Sequence, residues 1–484
     1  MLPVLLDDAL AATSDGFALR ISLPWIRSLP LASVIGLAVE VDGEAVDVQV
    51  RMDGRRVDPV ALSSTSEWWF VQDRLTLDGG RMLRPGIHDV AVSFALVVPY
   101  LPAGPAGPLT LPFRADAALE VRPPGAATSA PGARGATPAA SVAEPTSAST
   151  WALSASAFNW TPEIIRAERE ALDVVAGIVE AGIAPTIEIE PGQLWRSFPE
   201  PTHDEVLALR ERLRRAGGAV TIVGGSIDDW DSRERRRSDE ERWEFLVPQL
   251  RAAAALGARG VRVPFGQAGP GLLRLLQPTL ADLDIVLYEE IQGQQTLDAP
   301  ANAANLELLT ALADPRIRVL IDISMLMPSL PPSYLDALRD AGVTGELVDR
   351  LTDDWRSPET HAAVLGALQN GEVPPAAHTL FMNLLVRFGR STVEDIAPLL
   401  PLTEGVHLKF WDLDDTGARV SGPISDIGAA LRRTGFTGTL TSEWGGHEWL
   451  DDDPATMTRA HLALARTALG DFASAPTTNR TDHA

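Results

Sequence analysis

The chain has 484 residues, of which 45% are hydrophobic and 22% charged, and its 41 Lys and Arg against 65 Asp and Glu give a formal charge of -24. So acidic a balance excludes the basic footprint of a nucleic-acid binder and docking on anionic lipid. Cysteine is absent, which excludes a disulfide framework, a thiolate nucleophile and a zinc–cysteine site.

The N-terminus, MLPVLLDDAL, has no positive n-region and turns acidic at Asp7 and Asp8, unlike a secretory signal. No run of about 20 uninterrupted apolar residues follows, so no membrane span is expected and the expected location is cytoplasmic. Residues 1–122 read as an all-β sandwich domain. Ile35–Val41 and Ala45–Val50 are short β-branched runs separated by Asp42-Gly43, a hairpin turn signal. Further runs lie at Trp68–Val71, His88–Val92 and Leu96–Tyr100, punctuated by Gly79-Gly80, Pro85-Gly86, Pro102 and Pro105. Residues 123–150 are nearly all Ala, Pro, Gly, Ser and Thr without aromatics or periodicity, so they read as a disordered linker. Residues 471–484 read as a disordered tail of the same kind.

Residues 151–470 alternate strand and helix. Strands are expected near 155–160, 186–191, 219–225, 260–265, 284–290, 317–323, 405–411 and 438–444, with amphipathic helices such as Glu163–Glu180, Asp204–Ala216 and Glu240–Leu256 between them. Several strands are almost continuous apolar runs, as burial on both faces requires. Eight such units predict a (β/α)8 TIM barrel, an α/β fold, with a doubly wound open sheet as the alternative. No Gly-x-Gly-x-x-Gly turn follows the first strand, which weakens that alternative. Residues 325–404, between the sixth and seventh strands, form a Pro-punctuated helical insertion suited to a lid or partner surface.

Chemistry in a barrel sits where strands end at the C-terminal face. The fifth strand ends Tyr288-Glu289-Glu290, the sixth Ile321-Asp322, the seventh carries His407 and Lys409, and the eighth ends Ser442-Glu443. One acid at one strand end is equally well a helix cap or an ion-pair partner. Ligating side chains on four successive strands, interrupting apolar runs, instead call for a shared cation, because buried unpaired carboxylates are costly. Carboxylates with one imidazole and no thiol suit a divalent metal, Mn²⁺ first, with Mg²⁺, Co²⁺ or Zn²⁺ as options. Lys409 is the sole lysine in the chain and lies two residues after His407, on the same strand face. His447 follows the eighth strand behind Gly445-Gly446. Both are candidate proton-transfer groups, with Glu188, Glu190 and His203 as weaker candidates. Of the 12 Trp, Trp160, Trp195, Trp230, Trp411 and Trp444 fall near strand ends, where stacking on a ligand ring and core packing explain each equally well.

The order Glu, Asp, His, Glu on strands five to eight resembles the xylose-isomerase-like barrels. Glu289-Glu290-Ile291-Gln292-Gly293-Gln294 resembles their Glu-Asn-x-x-Gly-Gln turn, which selects Glu289 over Glu290 as ligand. Asp322-Ile323-Ser324-Met325 resembles their Asp-x-x-His, with Met325 in place of a His that often binds substrate, which speaks against ordinary aldose–ketose isomerisation. His407-Leu408-Lys409 resembles their His-x-x-Asp, with Phe410 in place of the Asp, and Glu443 matches their final Glu. In the first domain, Trp68–Leu75, Arg84–Val90 and Val98-Pro99-Tyr100 resemble the small β subunit of bacterial C-glycoside deglycosidases, whose α subunit is a xylose-isomerase-like barrel. The resemblance implies a fused deglycosidase. It implies a metal held by Glu289, Asp322, His407 and Glu443, Lys409 and His447 as catalytic groups, and cleavage of a 3-oxo-C-glycoside. It also implies an upstream sugar 3-oxidase as supplier of the substrate, and a homo-oligomer. A metal-dependent sugar isomerase or epimerase and a non-catalytic scaffold are the alternatives.

Overall fold

The computed structural model describes residues 4–52, 54–104, 107–122 and 151–470. The expected linker at 123–150 and tail at 471–484 lie outside the described residues. Among the described residues, no helix is long and apolar enough to cross a membrane.

The N-terminal part is an antiparallel sandwich. One sheet has the order Leu10–Ala12, Phe17–Ser22, Arg74–Gly79, Val48–Met52, Arg55–Val57; the other runs Pro108–Glu120, Ile87–Pro102, Val34–Val41, Glu44–Val46. Strand alternation turns Phe17, Leu19 and Ile21 of one sheet, and Val90, Val92, Phe94 and Leu96 of the other, into a common core. Asp42 and Gly43 have φ of 55° and 76°, the paired left-handed conformation of a tight hairpin, and pair Val41 with Glu44. The run expected at Ala45–Val50 divides: Glu44–Val46 stays in one sheet and Val48–Met52 crosses to the other. His88–Val92 and Leu96–Tyr100 belong to one long strand.

The second part is a closed parallel barrel. Its strands are β1 (Ala152–Ser156), β2 (Thr186–Ile189), β3 (Ala219–Gly224), β4 (Gly260–Pro264), β5 (Val286–Ile291), β6 (Ile317–Asp322), β7 (Thr403–Phe410) and β8 (Thr439–Trp444). The first starts earlier than expected and ends at Ser156, whose side chain caps a 3₁₀ turn over Ala157–Trp160. The helix expected at Glu163–Glu180 is broken in two, with Ala167 at φ 52° closing Thr161–Arg166. Capping boxes at Thr202/Glu205 and Ser238/Glu241 start the helices His203–Arg215 and Asp239–Leu256. The insertion forms helices Pro332–Asp340, Gly345–Asp353, Pro358–Gln369 and His378–Val386 around their own core of Tyr334, Trp355, Phe381 and Phe388, which also takes in Trp411 from the loop after β7.

Both additions sit on the C-terminal face. The sandwich docks through three segments onto the turns after β2 and β3. Ser28 Oγ donates to Gly192 O at 2.6 Å and accepts from Val71 N at 3.1 Å, while Gln193 Nε2 donates to Ile26 O at 2.8 Å. Phe70 and Val71, read in sequence as strand, instead bury themselves in the barrel's core. Arg27 pairs with buried Asp228 at 2.7 Å beneath the Tyr100 ring, 3.9 Å from its centre. The insertion is fixed from the other side: Ser333 Oγ donates to Asp412 at 2.5 Å, and Arg387 pairs with Glu448 at 2.8 Å. The active face is thus walled by two elements that the barrel alone lacks.

Two stability predictions follow from buried groups. Arg27→Met strands Asp228 in the interface and lowers the free energy of unfolding by about 3–5 kcal/mol, with Arg27→Met/Asp228→Leu recovering part of it, read by urea denaturation. His461 stacks on Phe410 with ring centres 3.8 Å apart, and burial pushes its pKa down from 6.5 to about 3. The unfolded chain therefore binds more protons between those values, so its contribution is present above pH 6.5 and is lost as pH falls toward 3. His461→Gln should flatten the fall in thermal midpoint between pH 7 and 5, a difference of about 2 kcal/mol at pH 5.

Candidate metal centre

Strand alternation decides which side chains enter the barrel. On β5, Val286 and Tyr288 pack with Ile222 and Leu320 inside the barrel, so Glu290 shares their face. On β6, β7 and β8 the inward positions at the same level are Asp322, His407 and Glu443. Cross-strand pairing puts Asp322 beside His407, and Lys409 beside Glu443.

Ligating atoms of Glu290, Asp322, His407 and Glu443, all buried, lie within 4.8 Å of one another. His407 Nδ1 is 2.9 Å from Glu290 Oε1 and 2.5 Å from Glu443 Oε2. Three atoms in this group are buried without a hydrogen bond: Asp322 Oδ2, His407 Nδ1 and Glu443 Oε2. Orphaned acceptors converging on one point are costly unless a cation joins them, so the residues fit a divalent metal. The set of carboxylate oxygens with one imidazole nitrogen suits a hard to borderline ion.

The group contains Glu290 and not Glu289, the residue expected as ligand. Glu289 faces away from the group, accepting from Asn305 Nδ2 at 2.5 Å and Gly266 N at 3.1 Å. Burial pushes its pKa up. The two neighbours on a strand cannot both point inward, and the motif's spacing alone did not say which one does. The other three expected ligands, Asp322, His407 and Glu443, are brought together.

The electrostatics are those of crowded acids. Burial pushes Asp322 up to about 6, against the attraction of Lys409. Burial also works against ionised Glu443, but Lys409 and His407 hold its carboxyl well below the usual range. Glu290 is likewise held low, by Arg262 and then His407. Lys409 Nζ donates to Glu443 Oε1 at 2.9 Å and lies 5.1 Å from the centre of the Phe158 ring.

His447 stands at the rim, its ring 4.9 Å from Phe158 and 5.6 Å from Trp444. Burial, with the Lys409 and Arg387 charges, pushes its pKa down to about 3, and its Nε2 has no hydrogen-bond partner. It is a neutral imidazole with a free ring nitrogen. Of the weaker candidates, Glu188 touches His407 Nε2 at 2.9 Å, Glu190 lies one inward step further along the same face, and His203 is exposed at the start of its helix. Trp160, Trp195, Trp411 and Trp444 are buried as packing, which removes them as open stacking platforms; Trp230 is half-buried. Arg262 was not singled out in the sequence, although a charge inside Val261-Arg262-Val263 is the same signal that marked the acids.

No protein-family model matches the chain. It is 28% identical to the C-glycoside deglycosidase alpha subunit of Arthrobacter globiformis over 61% of this chain and 86% of that protein. It is 26% identical to the 3'-dehydrocarminate deglycosidase alpha subunit of a Microbacterium species over 66% of this chain and 96% of that one. The beta subunit of the same Microbacterium enzyme is 38% identical over 20% of this chain and 79% of its own length. Among solved structures, a D-psicose 3-epimerase aligns at 15% identity and TM-score 0.38, covering 66% of this chain and 99% of that one. A xylose isomerase domain protein from Planctomyces limnophilus aligns at 14% and 0.37, covering 66% and 96%.

Exchanging the two neighbouring acids separates them. Glu290→Gln should weaken Mn²⁺ binding on the order of 100-fold by calorimetric titration, whereas Glu289→Gln should bind within about 3-fold of the unmodified chain.

Proposed function

The chain belongs to the C-glycoside deglycosidase family, with counterparts of its alpha and beta subunits on one polypeptide, and we propose that it is a metal-dependent carbon–carbon lyase acting on 3-oxo-C-glycosides. The observation that carries this reading is the pairing: one chain matches alpha subunits over its larger part and beta subunits over its smaller part. The buried ligand group supports it independently.

The chemistry explains why an oxidised sugar is needed. A bare C–C glycosidic bond has a poor leaving group, but a ketone at C3 acidifies the hydrogen at C2. Glu290, Asp322, His407 and Glu443 would hold a divalent ion, Mn²⁺ in our reading, which would supply Lewis acidity to the keto sugar. His447, at the rim with an unpartnered Nε2, is placed to take the C2 proton. The electron pair released at C2 forms the C1–C2 double bond as the bond from C1 to the aglycone breaks. Lys409, held on Glu443, donates a proton to the departing aglycone carbon. The products are a free aglycone and a 1-en-3-one sugar, so no oxidant is consumed in this step. The oxidation belongs to an upstream sugar 3-oxidase, and the site works in the cytoplasm on a small-molecule glycoside.

Incubation with a 3-oxo-C-glucoside should release aglycone on chromatography. EDTA should abolish release and Mn²⁺ restore it. Conversion of the sugar to an isomer with the aglycone still attached would overturn the lyase reading. His447→Ala and Lys409→Met should each lower kcat by roughly 10²–10⁴-fold with the far-ultraviolet circular dichroism preserved.

A further inference from the structure

We propose that Arg262, with Glu188, is the positioning hub of the metal centre, fixing the tautomer of His407 and the direction of the Glu290 carboxylate; this rests on the reading that Glu290, Asp322, His407 and Glu443 hold a metal. Arg262 projects inward from β4, on the wall between β2 and β5. Its guanidinium uses each of its three nitrogens on a different acid: Nε on Glu188 at 2.7 Å, Nη2 on Glu190 at 2.5 Å and Nη1 on Glu290 at 2.7 Å. Only a planar fork can satisfy three carboxylates in this way; an ammonium is a point charge with a shorter reach.

The second oxygen of Glu188 completes the link. Oε1 accepts from Arg262 and Oε2 lies 2.9 Å from His407 Nε2, and the Glu188 side chain is fully buried. Beside that carboxylate oxygen, the geometry favours the tautomer with its proton on Nε2, the one that a metal at Nδ1 would require. That leaves Nδ1 as the lone-pair nitrogen, and Nδ1 is the atom that faces Glu290 and Glu443 without a hydrogen bond. One cation therefore sets two ligands at once, His407 through Glu188 and Glu290 directly.

The N-terminal part holds the same strand from outside. The turn after β2, which follows Glu188 and Glu190, is gripped by Ser28 on Gly192 O, by Ile26 O on Gln193, and by the Arg27 side chain packed against Gly192, 3.3 Å from where a Cβ would stand.

Two substitutions in the full chain test the hub. Glu188→Gln keeps the shape but presents an amide N–H to either His407 Nε2 or Arg262 Nε, so the lone pair can no longer be fixed on Nδ1. Arg262→Lys keeps one charge and loses the fork. Each should lower Mn²⁺ affinity by 10–100-fold in calorimetric titration. Each should also alter the visible absorption of the Co²⁺-loaded protein, while the metal-free chain keeps its circular dichroism. Unmodified affinity and an unmodified Co²⁺ spectrum in either folded variant would overturn the proposal. Loss of fold in both would overturn it as well, by assigning the hub to barrel stability. Failure of the unmodified chain to bind Mn²⁺ or Co²⁺ would sink the metal-centre reading itself, a result distinguishable from the others.

Discussion

Too many acids share the mouth of this barrel. Glu188, Glu190, Glu290, Asp322 and Glu443 converge there against Arg262, Lys409 and one imidazole. Carboxylates in a low-dielectric interior cannot all ionise unless positive charge is brought to them. The arrangement distributes the available cations unevenly. Arg262 contacts the β2 and β5 acids, although burial still pushes Glu190 up to about 7, Lys409 takes Glu443, and burial raises Asp322 to about 6. The remaining deficit is localised at three unpaired atoms, and a divalent ion at that point completes the balance.

That constraint gives the rest of the architecture its purpose. The barrel supplies eight inward-facing strand ends but no roof. The sandwich and the helical insertion build walls on opposite sides of the mouth, one over the turns after β2 and β3, the other over the loops after β7 and β8. Walls exclude water, and exclusion of water strengthens each charge interaction inside. The relatives carry the sandwich as a separate beta subunit. Joining the parts in one chain converts an association between molecules into one within a molecule, so docking no longer depends on subunit concentration.

Much of this was legible beforehand. The hydrophobic runs marked the barrel because strands buried on both faces have few ways to be anything else, and the acids interrupting those runs marked the site. The hairpin at Asp42-Gly43 was legible because left-handed backbone at two successive positions is rare outside those residue types. Glu289 against Glu290 was not, since adjacent strand residues differ only in which face they take, and that depends on the register of the whole barrel. Trp411 and Trp444 read equally as stacking surfaces or as core because aromatic residues at strand ends serve either purpose; packing in the insertion's core decides for Trp411 and packing in the barrel's core for Trp444. Phe70 and Val71 read as strand because β propensity describes a half-buried surface, and docking against another domain provides one as well as a sheet does.

The sequence by itself determined the two-part organisation, the barrel, the strands that carry the acid-and-histidine group and the hard donor set that follows from having no cysteine. These are properties of local pattern and composition. Tertiary structure alone decided that Glu290 enters the group, that Glu188 reaches His407 across 219 positions of chain, and that Arg262 joins three acids. Those depend on closure of the barrel, which brings β2, β4, β5 and β7 to one point and which no contiguous stretch of sequence encodes.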